Sequence, residues 1–406
     1  MFKKSREISG DRDRPHQEPQ LAPILLLPQP FWEKFFELLP KSNFYKTCKK
    51  AIKIQQTHND TFFDNGNSIY FDLGFLVKYY PNLQTLVLRD FNLLQDTDLN
   101  DEDTKYLTRL KSLDLINSGV FGSAEIFRRP WSHHLTRLNL SNSSWHYDYI
   151  EDDYDNGRKP KCYNLYGISN CTKLIELGLG GFVCINDEDL QEICQITSLK
   201  RLDMSQYLEY DSAPPGYQER YFFHAETIQE LTKLMDLEDL SLNCCTQIRE
   251  TGFNWLSKLT NLKTLNLART RIEHRFGGLE ALRRLPNLRN LAIGENMSQS
   301  IHETHFHDFI NFIGSLTQIQ HLCLPGLYCY TGDYMFPSWS AFKSLKSICI
   351  AGGEDEMEGE IENIIKDTNI VKIYVQNPFV DIHQYEYDRQ IEVCGKCTAQ
   401  CFFITT

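Results

Sequence analysis

The phrase leucine-x-x-leucine-x-leucine recurs along most of this chain, and nothing else in the sequence restricts the fold so tightly. Between Leu237 and Ile272 it occurs twice, as LEDLSL from Leu237 and LKTLNL from Leu262. The alternation at Leu240 and Leu242, and again at Leu265 and Leu267, suits a short strand with one buried face. Between the two copies, Phe253, Leu256 and Leu259 fall at helical spacing. One strand and one short helix in 25 residues cannot enclose a core, so the unit must stack on copies of itself.

The copies begin at Leu83, Leu110, Leu135, Leu174, Leu199, Leu237, Leu262, Leu288, Ile319 and Leu345, with a weaker one from Ile370. Seven of the ten successive steps are 25 to 27 residues. The pattern resembles the leucine-rich-repeat family, whose period is roughly 20–29 residues. It is most similar to the cysteine-containing subclass, because Cys245 follows the strand and a helix is expected near Glu250–Phe253. The resemblance covers residues 75–380 and implies an α/β solenoid: a curved parallel sheet of eleven or twelve strands with helices or loops outside. An irregular first repeat is expected over 59–80, with Ile69-Tyr70-Phe71 as its strand and Leu73–Tyr79 as its helix.

A hydrophobic content of 41% over 406 residues supplies the core of such an array, which spans 59–380. The formal net charge of −12 argues against a general nucleic-acid or anionic-membrane binder, since those rely on Lys and Arg to neutralise phosphates. Residues 1–20 are polar and charged and read as a disordered tail with no apolar signal-peptide core. No apolar run approaches the roughly 18 residues of a membrane span. Several of the thirteen cysteines occupy repeat positions where a free thiol acts as a small hydrophobe. These features point to a reducing, cytoplasmic or nuclear location.

Residues 21–58 have a different character. Leu27-Pro28 opens an apolar stretch with Phe31, Trp32, Phe35, Phe36 and Leu39 at helical spacing, followed by Pro40 and Asn43-Phe44. A second helix would bury Phe44, Cys48, Ala51 and Ile52. Two small helices ahead of a leucine-rich array resemble an F-box, which docks a substrate receptor onto a cullin–RING ubiquitin ligase. The likeness rests on Leu27, Pro28, Phe31, Trp32, Phe35, Phe36, Leu39 and Phe44; the Trp that ends the family's motif has no counterpart near Lys50–Ile54. The resemblance implies that these residues dock the ligase's linker subunit and, through it, a cullin. The alternative is a cap that shields the first repeat's open edge.

Three repeats carry extra or altered material just after their strands, over Ser141–Gly167, Ser205–His224 and Pro325–Trp339. Periodic stacking puts all three on one edge of the array, where inserted loops often bind. They are rich in aromatic groups, among them Trp145, Tyr147, Tyr210, Tyr328 and Tyr330. Exposed tyrosine commonly anchors partners; the alternative is that these rings pack back on neighbouring repeats.

The strand pattern also fixes which residues line the concave face. One column runs Thr85, Ser112, Arg137, Glu176, Arg201, Asp239, Thr264 and Asn290, and the next includes Val87, Asp114, Asn139, Gly178, Asp203, Ser241 and Asn266. Arg89, Asp114, Arg137, Glu176, Arg201, Asp203 and Asp239 are the partner-binding candidates of this face. Arg137, Glu176 and Arg201 would be cross-strand neighbours about 5 Å apart and could neutralise each other. The later strands present smaller groups, Ala292, Gly294, Cys323 and Ala351. The acidic run Glu354–Glu360 reads as a solvated helix start.

Residues 381–406 are expected to close the far end with Ile391, Val393, Phe402 and Phe403. Cys394, Cys397 and Cys401 supply three thiols where zinc wants four ligands, so they read as structural and no metal or cofactor is expected. HETHFH at 302–307 lacks zinc-peptidase spacing, and neither a phosphate-binding glycine loop nor a nucleophile elbow is present. The sequence reading is therefore a non-catalytic substrate receptor of a cullin–RING ubiquitin ligase, holding a target protein on its repeat surface. Its rivals are a receptor for another cullin and a scaffold with no ligase link.

Overall fold

The computed structural model describes residues 83–89, 107–116, 127–142, 165–181, 185–206, 223–245, 250–270, 278–294, 311–324, 339–350 and 354–375, together with short strands at 52–55, 61–65, 92–93, 119–120 and 390–393 and the single residues 248 and 309. The alternating leucines form strands wherever the phrase recurs. In chain order the strands are β1 (Ile52–Gln55), β2 (Thr61–Asn65), β3 (Thr85–Arg89), β4 (Asn92–Leu93), β5 (Ser112–Ile116), β6 (Gly119–Val120), β7 (Arg137–Asn139) and β8 (Glu176–Gly178). They continue as β9 (Arg201–Asp203), β10 (Asp239–Ser241), β11 (Thr264–Ala268), β12 (Asn290–Gly294), β13 (His321–Leu324), β14 (Ser347–Ile350), β15 (Lys372–Val375) and β16 (Gln390–Val393). All but β4 and β6, which pair with each other, join one 14-stranded sheet in sequence order. The fold is a leucine-rich-repeat solenoid.

The leucines of the phrase face the core, and Leu262, Leu265 and Leu267 are fully buried. Short outer elements close it. Among the described elements α1 (Asp187–Ile193), α2 (Glu250–Leu256) and α3 (Glu354–Asp367) are α-helices, and others, such as Ala225–Lys233 and Leu279–Arg284, are 3-10 turns. The helix expected near Glu250 is present as α2, and its Phe253 and Leu256 are buried with the following Leu259. The acidic run after β14 begins α3.

The array extends further at both ends than the repeat phrase predicts. Strand β2 sits in parallel register with β3, with Phe62 opposite Leu86. Thr61-Phe62-Phe63 is β-branched and aromatic, so it makes a strand without leucine. The strand expected at Ile69–Phe71 lies outside the described residues. Ile52, expected in a helix, lies in β1, which pairs antiparallel with β2. At the other end Ile391 and Val393, expected to form a cap, continue the parallel ladder opposite Ile373 and Val375.

Backbone hydrogen bonds lock the repeats together at both strand ends. At each strand start one carbonyl accepts two N–H groups from the next repeat: Glu238 O receives Lys263 N at 2.7 Å and Thr264 N at 3.0 Å. Lys263 O in turn receives Arg289 N at 2.8 Å and Asn290 N at 2.9 Å. Beyond the strand ends the chain turns left-handed at Asn142, Gly181, Cys244 and Arg269, with φ of 58°, 73°, 63° and 57°. Each aims its N–H at the next repeat, as when Gly181 N donates to Ser205 O at 2.6 Å. Only glycine adopts this region at no steric cost, so Gly181→Ala is expected to destabilise by about 1 kcal/mol. Urea denaturation checks this, with Asn142→Gly expected within a few tenths of wild type because asparagine tolerates the region.

Candidate protein-binding surface

Parallel register sets the predicted columns side by side: Arg137 lies opposite Glu176, Glu176 opposite Arg201, and Arg201 opposite Asp239. The side chains complete a continuous ladder. Arg137 donates from Nε to Asp114 at 3.3 Å and from Nη1 to Glu176 at 2.8 Å. Arg201 bonds the other Glu176 oxygen at 3.0 Å and Asp239 at 3.3 Å. Burial works against the charge of Arg137, but Asp114 and Glu176 outweigh it and raise the guanidinium pKa. The two guanidiniums are nearly half-exposed, although Asp114 beneath them is buried, so each pair contributes only about 0.2–1 kcal/mol. The self-neutralising arrangement is therefore what forms. Three carboxylates face two guanidiniums, which leaves the ladder with one negative charge.

Asp203 belongs to the same face but points its carboxylate at the end of its own strand. It accepts from Ser205 N at 2.9 Å and from Ser205 Oγ at 2.5 Å. Burial raises its pKa against the bonds from Ser205 and Ser241. Room for this carboxylate comes from the neighbouring repeat, where a Cβ at Gly180 would lie 2.8 Å from Asp203 Oδ2. Gly178 makes the same space for Asn139 Oδ1, also at 2.8 Å. The glycines of β8 and its exit thus seat a polar side chain on each side.

The concave face is not open along its whole length, a difference that the columns alone do not reveal. Over β11 to β14, Thr264, Asn266, Ala292 and Cys323 are 4%, 2%, 0% and 0% exposed. Ala268, Ala292, Cys323 and Cys349 form a second apolar cluster, with Tyr374 packed against it. The accessible polar stretch of this face therefore lies over β5 to β10. Cys171, Cys194, Cys244 and Cys245 are buried, as expected of small hydrophobes at these positions. Burial pushes the Cys171 thiol up to about 11, so it stays protonated and unreactive.

Two of the three inserted segments end on acidic side chains of α1, a feature the sequence reading missed. Asp189 is buried and accepts from Leu165 N at 2.5 Å and Asn186 N at 3.1 Å. Asn186 reciprocates by capping the helix through Asp189 N at 2.8 Å. Burial pushes Asp189 up to about 7 against those backbone donors. Glu192 takes Ser169 Oγ at 2.5 Å, and both contacts hold the chain where it returns from the segment after β7. On the other side Asp187 accepts from His224 N at 2.7 Å and from Thr227 Oγ1 at 2.5 Å, where the chain returns from the segment after β9. One short helix thus fixes the return points of two inserted segments. Asn186 three residues before Asp189 was the legible signal, because that spacing marks a capping box.

His224 Nδ1 also lies 2.5 Å from Asp187 Oδ2. The hydrogen bond to Asp187, and then its charge, raise the pKa of His224 above the ordinary 6.5. Burial opposes ionisation of Asp187, but the bonds from Thr227 and His224 together hold its pKa below the ordinary 3.8. The pair's contribution is therefore present below pH 6.5 and is lost as pH rises through the raised histidine pKa. At the acid end it is present above pH 3.8 and is lost as pH falls through the lowered pKa of Asp187. A proton NMR titration is expected to find His224 titrating above 6.5, and Asp187→Asn is expected to return it towards that value.

Of the other candidates, Arg89 ends β3 opposite Ile116. Trp145, Tyr147, Tyr210, Tyr328 and Tyr330 lie outside the described residues, as do Leu27 through Phe44. Among the described residues no cluster of three His, Cys, Asp or Glu could hold a metal, and no helix is long and apolar enough to cross a membrane.

No family model matches the chain, and no curated protein matches it significantly. Among solved structures, the chain is similar to internalin C2 of Listeria monocytogenes, at 16% identity and a TM-score of 0.37, over 75% of this chain and 92% of that one. At that score the likeness adds nothing to the repeat assignment, which rests on the register of the sheet itself.

Proposed function

We propose that the chain is a non-catalytic protein-binding solenoid that holds a target on the concave stretch from β5 to β10. The observation that carries this is the ladder Asp114–Arg137–Glu176–Arg201–Asp239, five charged groups held in fixed order by backbone register. Charges fixed in advance lose little side-chain entropy on binding and favour a partner whose own charges continue the alternation. An open sheet face whose described residues neutralise one another supports recognition rather than chemistry.

Within that reading, the specific role is a substrate receptor of a cullin–RING ubiquitin ligase, working in the cytoplasm or nucleus. Support comes from the spacing of Leu27, Pro28, Phe31, Trp32, Phe35, Phe36 and Leu39. Those residues would dock the linker subunit while the repeats hold the target, and the chain's contribution would be proximity. The test is affinity purification of the tagged full-length protein beside a Phe35→Asp, Phe36→Asp double variant. Recovery of a cullin and its linker by the wild type alone is the expected result. If neither protein brings down a cullin, residues 21–58 serve as a cap and the scaffold reading replaces the ligase one.

A further inference from the structure

The residues that lead into each strand have a charge opposite to that of the whole protein. In the ten repeats from Leu110 to Ile370, take the seven residues from five before the first phrase residue to one after it. These windows contain fourteen of the chain's 42 Lys and Arg but only three of its 54 acids, Asp236, Glu238 and Asp367. A protein with a net charge of −12 therefore has one strongly basic edge, at the N-terminal ends of its strands.

The fold turns this bias into a row. The residue just after the first phrase residue is the one whose carbonyl takes two N–H groups from the next repeat, so its position is fixed at every step. Lys200, Glu238, Lys263, Arg289, Gln320 and Lys346 follow one another through those bonds. Adjacent strands are about 4.8 Å apart, so Lys263 to Lys346 spans about 14 Å. Two more cations, Arg284 and Lys343, lie in the turns that lead into β12 and β14. Arg284, Lys343 and Lys346 are exposed and form no ion pair among the described residues. Lys346 also lowers the pKa of His321, after the larger effect of burial, as expected where positive charge is uncompensated. Further along, Lys200 and Lys263 share the single carboxylate of Glu238.

We infer that this basic edge, over the repeats from Leu262 to Leu345, is a docking site for a short acidic polypeptide segment. A length of about 14 Å matches four or five residues of extended chain at about 3.3 Å each. Nucleic acid fits less well. A duplex places a negative charge every ~1.7 Å along its axis and would run past the edge into the field of a protein with net charge −12. Single strands seek aromatic faces to stack on, and the indole of Trp255, in the α2 helix that precedes this stretch, is already covered by Lys258 at 4.1 Å. The inference rests on the protein-binding reading but uses a different surface from the charge ladder and does not depend on the ligase role.

Fluorescence anisotropy tests it, using the full-length protein and a fluorescein-labelled peptide of alternating glutamate and serine, about ten residues long. Wild type is expected to bind at low salt and to weaken as salt rises. The triple variant Arg284→Glu, Lys343→Glu, Lys346→Glu changes only exposed side chains and is expected to lose at least tenfold in affinity. Lys346→Glu alone is expected to lose about threefold, which keeps the test sound should the triple variant fold poorly. Arg137→Ala, on the charge ladder, is expected to bind the peptide as wild type does, so failure of the concave-face reading and failure of this one are separable. The inference is overturned if wild type does not bind the peptide, or if the triple variant binds it undiminished. It is also overturned if a thymidine oligonucleotide or phosphatidylserine vesicles displace the peptide and bind more tightly.

Discussion

Leu265→Ala is expected to lower the free energy of unfolding by about 3 kcal/mol, the middle of the range for truncating a fully buried leucine. Leu265 is 0% exposed, on a strand with a neighbour on each side, and it lies in register with Leu240 and Leu291. Its removal therefore leaves a cavity touching three repeats. In a solenoid each repeat contacts only its neighbours, so losing two interfaces at once is the most damaging single change. Urea denaturation followed by circular dichroism measures it. Lys263→Ala, two residues away on the exposed edge, is expected to stay within about 0.5 kcal/mol of wild type. A loss under 1 kcal/mol for Leu265→Ala would mean that the central repeats are loosely packed.

Gly180→Val is the second large effect, at about 2–3 kcal/mol, and it arises from overpacking rather than a cavity. The added Cβ would lie 2.8 Å from Asp203 Oδ2. That carboxylate cannot swing aside without giving up the Ser205 N–H and Oγ bonds that satisfy it. Asp203→Ala in the Gly180→Val background should recover part of the loss, a coupling that a double-mutant cycle isolates. Additive costs would show that the close approach is relieved by some other route. Gly181, next in sequence, fails for a different reason, its φ of 73°, and its smaller expected cost reflects that.

These effects bear on function because the positions that hold the array together also set the spacing of its surface groups. Arg137, Glu176 and Arg201 meet because Leu138, Leu177 and Leu202 are in register beneath them. The basic edge has its spacing for the same reason, through the doubled hydrogen bonds at each strand start.

Much of this was determined by the sequence alone. A leucine phrase repeated mostly every 25 to 27 residues can bury its leucines only by stacking, and alternation within the phrase then dictates which residues face outward. The columns on the concave face and the ladder of Arg137, Glu176 and Arg201 follow from aligning successive copies of the phrase, even where the step between copies is 39 residues. Beyond the phrase the period gives no guidance, and there the tertiary structure decided. Strands β2 and β16 join the sheet without the leucine signature, because a pleated ladder accepts any apolar residue that fits its register. The hold of α1 on two inserted segments pairs residues up to 40 positions apart, through contacts no periodicity encodes. The burial of Thr264, Asn266, Ala292 and Cys323 over β11 to β13 is likewise a property of the assembled structure, since alternation within a repeat only assigns them to the outward face.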